Sequence, residues 1–273
     1  MHIQSAFPFA FTHIGQRSTN QDTVYPAVGT ATDKTQLFLV CDGMGGADKG
    51  EVASHLLCTA IKDYALAMNE PVFDQVHLNA ALDRAYDAYE AYFEQHPLVN
   101  RMGSTLALLQ IHQYGVTVAY LGDSRIYQLR AGKIIFQTRD HRQVNEMVES
   151  GIITAAQALS HPWRNRLSRA VVASSDDKKG QSSRSVPEVV TRTDIQAGDY
   201  FFMCTDGVLE RMDDYVLETV LGSNLPDLTK IQSLQSMCGD ETKDNYSGYL
   251  IGISYVKQAE PVHSPDSLTN YAD

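Results

Sequence analysis

Two apolar runs in this chain end on the same dipeptide, and that repetition limits what the chain can fold into. Leu37, Phe38, Leu39, Val40 and Cys41 are followed at once by Asp42-Gly43, the first of three glycines within four residues. Tyr200, Phe201, Phe202, Met203 and Cys204 are followed, after Thr205, by Asp206-Gly207. Short apolar runs bounded by turn residues read as buried strands. Each run therefore delivers a carboxylate to the mouth of a core strand, where an ionised Asp is costly unless it is paired, hydrogen-bonded or bound to a metal. Gly43 allows a sharp turn and lets a ligand approach the main-chain carbonyl. A lone Asp-Gly is also the mark of an ordinary turn. Two of them, each closing a core strand, argue for a shared site.

Other acids stand in similar places. Asp244-Asn245 comes just before the apolar run from Tyr249 to Ile253, so Asp42, Asp206 and Asp244 are three strand-edge acids that can converge. Asp22 lies five residues after Arg17, and Asp123 sits in Gly122-Asp123-Ser124-Arg125 between two strand-like runs, 116–121 and 126–129. As turn residues Asp22 and Asp123 need no further role. Arg17 alone reads as a surface charge.

Taken in order, seven motifs resemble the bacterial branch of the metal-dependent, type 2C serine/threonine protein phosphatases. They are Arg17-x-x-Asn20-Gln21-Asp22, the stretch from Val40 to Gly46, Gly103-Ser104-Thr105, the stretch from Gly122 to Tyr127, Arg139-Asp140-His141, the stretch from Cys204 to Val208, and Asp244-Asn245-Tyr246-Ser247. The resemblance runs from about Thr12 to Ile253. It implies an α+β fold, a four-layer α-β-β-α sandwich of two antiparallel sheets flanked by helices, with the metal site at one edge. It implies two Mg²⁺ or Mn²⁺ ions, with Asp42 bridging them, the Gly43 carbonyl on one, and Asp206 and Asp244 on the other. Asp22 acts on or through the metal waters, Arg17 binds the substrate phosphate, and Asp123 matches a position that holds a weaker third ion in some members. Asp42, Asp206 and Asp22 are thus the catalytic candidates. An oxygen-only donor set suits these hard cations, and two ions about 3.5–4 Å apart can activate water while neutralising phosphoryl oxygens.

By the same resemblance the substrates are phosphoserine and phosphothreonine proteins, products of a cognate Ser/Thr kinase. A small-molecule phosphate monoesterase with the same centre is one alternative. A non-catalytic phosphoprotein-binding module is another, though every Asp is present. The chain departs from the family at Met44 and Ala47, where relatives carry His, and at Val171-Val172, where relatives have glycine after the Asn165-Arg166-Leu167-x-Arg169-Ala170 run. His141 reads as a structural residue rather than a catalyst.

Composition narrows the partners. Thirty-three acids against 22 bases give a formal charge of −11, which argues against nucleic acid or an anionic membrane surface. No apolar stretch approaches the ~18 residues of a membrane span, and residues 1–10 lack the basic start and apolar core of a signal peptide. A cytoplasmic monomer is expected. Cys41, Cys58, Cys204 and Cys238 form no C-x-x-C pair, and the nine histidines show no zinc-hydrolase spacing.

Along the chain, Phe7, Phe9 and Phe11 predict a first strand with one aromatic face buried. Apolar residues at helical spacing predict amphipathic helices over 49–68 and 73–94, with the tyrosines of the second in the core. Residues 105–136 predict an antiparallel meander. Two short helices, 143–150 and 154–158, and a polar stretch, 174–185, make 143–185 a candidate mobile flap. Strands at 189–193 and 200–204, helices near 214–221 and 228–237 and a last strand to 256 complete one domain, 1–256. Residues 257–273 have two prolines and little apolar content, and predict a disordered tail.

Overall fold

The computed structural model describes residues 1–44, 49–69, 71–176 and 184–258. In chain order the strands and helices of the first half are His2–Ser5 (β1), Phe9–His13 (β2), Asp22–Tyr25 (β3), Leu37–Asp42 (β4), Gly50–Ala67 (α1), Gln75–Gln95 (α2), Arg101–Ser104 (β5), Leu106–His112 (β6) and Gly115–Leu121 (β7). The second half has Arg125–Arg130 (β8), Lys133–Gln137 (β9), Gln143–Glu149 (α3), Ala155–Ser160 (α4), Val171–Ser174 (β10), Glu188–Arg192 (β11), Tyr200–Cys204 (β12), Asp206–Leu209 (α5), Asp214–Leu221 (α6), Asp227–Cys238 (α7) and Tyr246–Lys257 (β13).

Two antiparallel sheets form the centre. One has the order β11-β7-β6-β4-β3; the other has β1-β13-β12-β8-β9, with β2 also on β13. Strand side chains alternate between faces, and here both faces are buried. Phe38 and Val40 of β4 meet Phe201 and Met203 of β12 between the sheets. Leu39 and Cys41 point the other way, into α1 and α2, while Phe202 and Cys204 point into α6 and α7. These clusters define the four expected layers. Each fully buried Leu, Val or Phe contributes about 1.5–3 kcal/mol, so the alternation fixes the register of both central strands. Tyr89, wholly buried, donates its hydroxyl to the Ala53 carbonyl at 2.8 Å and ties α2 to α1, as core rather than ligand. All four cysteines are free and buried.

Four sequence expectations change. The aromatic strand is broken: β1 precedes it, β2 begins only at Phe9, Phe7 is 51% exposed and Phe11 is buried. β1 and β2 pair with opposite halves of β13, Gln4 with Tyr255 and Phe11 with Gly248, so one straight strand cannot serve both. The meander is also broken, because β6–β7 and β8–β9 are hairpins in different sheets. Gly122-Asp123-Ser124 is therefore a crossing between layers and not a hairpin turn. The candidate flap is interrupted by β10, which pairs with β5 and buries Val171 completely; residues 177–183 lie outside the described residues. Lys257 belongs to β13, and the expected tail from 259 onward lies outside the described residues.

Candidate active site

The acids meet at one end of the sandwich. β3 and β4 pair so that Asp22 lies opposite Asp42, an arrangement that costs energy for like charges. Thr205 closes β12 and Asp206 opens α5, while Asp244 and Asn245 lead into β13. The carboxylate of Asp22 fastens three of these elements. Its Oδ2 accepts from Thr205 Oγ1 at 3.0 Å and from Ser247 Oγ at 2.7 Å. Asn245 locks the neighbouring loop: its Oδ1 accepts from the Gln21 N–H at 2.9 Å, and its Nδ2 donates to the carbonyls of Ile14 and Thr19 at 2.8 and 2.9 Å. Behind β4, Thr105 Oγ1 accepts from the Asp42 N–H at 3.0 Å.

Burial is the first cause that pushes the acids toward their neutral form. Asp42 is raised well above the usual carboxylate range, first by desolvation and then by Asp22, Asp206, Asp123 and Asp244. Asp206 is pushed up to about 8 by burial, then by Asp123 and Asp244, against the opposing pull of Arg142. Asp22 is pushed up to about 7 by burial, although its two hydroxyl donors pull it down. Asp42 is thus the carboxylate that feels all four others.

Arginines compensate part of this charge. Arg17, half exposed, grips Asp244 with Nε at 3.0 Å and Nη2 at 2.7 Å. Arg142 donates Nε to Asp123 Oδ2 at 2.9 Å, with Nη2 3.7 Å from Asp206 Oδ2. Among the described residues, no three His, Cys, Asp or Glu side chains already enclose one point at ligating distance. Asp22 Oδ1, however, is a buried oxygen with no partner. An orphan carboxylate oxygen among raised acids, with oxygen donors only, fits a hard divalent cation.

Gly43 has room for no side chain. Its N–H donates to the Gln21 carbonyl at 3.0 Å, and a Cβ would stand 2.1 Å from the Gly50 carbonyl oxygen and 2.7 Å from that of Gln21. Gly43→Ala is expected to displace the start of α1 from β4 and lower stability by about 3 kcal/mol. Urea denaturation of the metal-free protein checks it; an unchanged midpoint would show that the backbone yields freely.

His141 faces away from the acids. Its Nδ1 accepts the Gly122 N–H at 3.1 Å, its Nε2 lies 3.0 Å from Glu188 Oε1, and its ring stacks on Tyr120 at 5.2 Å between centroids. Burial lowers its pKa. His161 lies at the surface beside Trp163. The sequence reading missed the roles of Arg142, Arg125, Thr205, Asn245 and Ser247, although four of the quoted motifs contain or adjoin them. A cleft of about 580 Å³ opens beside the acids, lined by Asp206, Asp244, Arg125, Arg142, Glu210 and Tyr215 among others.

The family model described as Protein phosphatase 2C matches residues 11–236. The chain belongs to the protein phosphatase 2C family. It is 32% identical over 206 residues to the serine/threonine protein phosphatase PstP of Mycobacterium tuberculosis, covering 75% of this chain and 36% of that protein. It thus spans little more than a third of the length of that relative. It is 28% identical over 234 residues to the protein phosphatase PhpP of Streptococcus pneumoniae, covering 82% of this chain and 87% of that one. Among solved structures, the catalytic domain of PstP in complex with two manganese ions superposes with a TM-score of 0.71 at 27% identity, covering 92% of this chain and all of that one. The 2C fold is therefore shown, and with it the α+β sandwich. No helix among the described residues is long and apolar enough to cross a membrane.

Proposed function

We propose that this chain is a Mg²⁺- or Mn²⁺-dependent serine/threonine phosphoprotein phosphatase that hydrolyses phosphomonoesters. The observation that carries the reading is the convergence of Asp42 with Asp22, Asp206, Asp123 and Asp244 beside the 580 Å³ cleft, in a chain of this family. Asp42, the Gly43 carbonyl, Asp206 and Asp244 would hold two ions, with Asp22 alongside. When bound, the ions supply positive charge against the phosphoryl oxygens and a water nucleophile at neutral pH.

The chain's own residues bind and orient. The planar fork of Arg17 matches phosphate as well as carboxylate, so Arg17 exchanges Asp244 for a phosphate oxygen when substrate enters. Asp22, held at Oδ2 by Thr205 and Ser247, keeps Oδ1 free to hold or release a proton near neutral pH. The cleft takes the peptide around the phosphorylated residue. The substrates are products of a cognate Ser/Thr kinase, and the enzyme works as a cytoplasmic monomer.

Phosphate release from a phosphoserine peptide should require Mn²⁺ or Mg²⁺ and cease in excess chelator. Full activity in chelator would defeat the reading. Turnover of small phosphate esters with none of phosphopeptides would favour a metabolite esterase, and metal binding without turnover a binding module.

A further inference from the structure

We propose that the guanidinium of Arg142 is the resident cation of the Asp123–Asp206 pair, so that the centre takes two divalent ions and excludes a third. The inference rests on the two-ion reading above.

Arg142 is the residue just before α3, and its side chain reaches back over the layer crossing. Both Nε and Nη2 lie 2.9 Å from Asp123 Oδ2, and Nη2 lies 3.7 Å from Asp206 Oδ2. On its other side Nε is 3.5 Å from Asp140 Oδ2. Asp140 is itself fixed by Arg125, with Nε–Oδ1 at 2.6 Å and Nη2–Oδ2 at 2.9 Å. The Asp140 carbonyl accepts from Asn145 Nδ2 of α3 at 2.9 Å. Arg142 is therefore braced from behind while it faces Asp123, which is only 4% exposed.

A guanidinium does not lose its proton at any ordinary pH. A divalent ion on Asp123, whether it displaced Arg142 from Oδ2 or bound Oδ1 beside it, would sit within a few ångströms of a fixed positive charge. That repulsion is weakly screened at a buried site. Formal charge points the same way. Asp22, Asp42, Asp123, Asp140, Asp206 and Asp244 face Arg17, Arg125 and Arg142, so two divalent ions already more than balance the carboxylates. A third would leave a strongly positive cluster.

The test counts ions rather than turnover. The full chain is stripped with chelator, then dialysed against millimolar Mn²⁺, and bound Mn²⁺ is measured per chain. The expected counts are two for wild type, three for Arg142→Met, which keeps the aliphatic stem and removes the charge, and two again for Arg142→Met/Asp123→Asn. A wild-type count of three, or a folded Arg142→Met with two, overturns the inference. Should Arg142→Met fail to fold, Asp123→Asn decides. A count of two in both wild type and Asp123→Asn supports the inference, and a fall from three to two overturns it. A wild-type count below two overturns the two-ion function itself and this inference with it.

Discussion

Asp42→Asn and Asp206→Asn each reduce phosphate release by at least about 10²–10³-fold, the range for losing one preorganised electrostatic group, yet leave the metal-free protein folded and no less stable than wild type. The two effects have opposite signs for one reason. Each carboxylate is partly buried, and its charged form is opposed by desolvation and by neighbouring acids. A neutral amide of the same shape removes that cost, and it also removes a hard oxygen ligand. Wild type should gain about 2.7 kcal/mol of stability for each ion bound at Mn²⁺ a hundredfold above its Kd, and the variants should gain much less. Steady-state kinetics on a phosphoserine peptide, with thermal melts in chelator and in Mn²⁺, check both halves. A variant with wild-type turnover would remove its residue from the centre, and one that melts well below wild type in chelator would show the carboxylate to be a structural anchor.

In chelator, the stability of the wild-type protein falls as pH rises from about 4 to about 8. Asp22 is raised to about 7 and Asp206 to about 8 when folded, whereas an unfolded Asp titrates near ~3.9. Across that window the folded chain holds protons that the unfolded chain has released, so each increase in pH favours unfolding. The contribution of these two groups is greatest below the unfolded value and is lost once pH passes about 8. A tenfold change in proton affinity is worth about 1.4 kcal/mol, so the fall amounts to several kcal/mol. Cation binding reverses the trend, because ligation displaces those protons and tightens as pH rises. Urea midpoints at several pH values, with chelator and with saturating Mn²⁺, measure the difference. A flat or rising chelator curve would mean that the acids are ionised and paired in the folded state. Asp206→Asn should flatten the curve.

Much of the site was legible because its acids lie where local pattern changes. Asp42 and Asp206 end apolar runs, and that change from strand to glycine turn is visible without any partner. Arg142 was not legible: its partner Asp123 is 19 residues away, and Arg125 meets Asp140 across 15. Nothing in the spacing says that these charges meet rather than face water. Thr205 and Ser247 were hidden for the same reason, since their common acceptor Asp22 is 183 and 225 residues distant. Arg17 was legible as a residue type, but its present partner, Asp244, was not.

By itself the sequence determined the long helices and most of the central strands, because period and apolar content are local properties, but not the short strands β1, β3, β5 and β10. The Asp-Gly ends of β4 and β12 and the helical spacing of α1 and α2 needed nothing else. Only the tertiary structure decided which sheet each strand joins. β6, β7 and most of β8 are buried on both faces, and a strand buried on both faces carries the same apolar pattern in either sheet. The break after β7 follows from the pairing of β8 with β12, and the separation of β1 from β2 depends on what the two halves of β13 can pair with. The electrostatics of the centre was likewise decided in three dimensions. An isolated Asp is an ordinary acid, and it is burial beside four others that makes Asp42 and its neighbours hold protons until a cation replaces them.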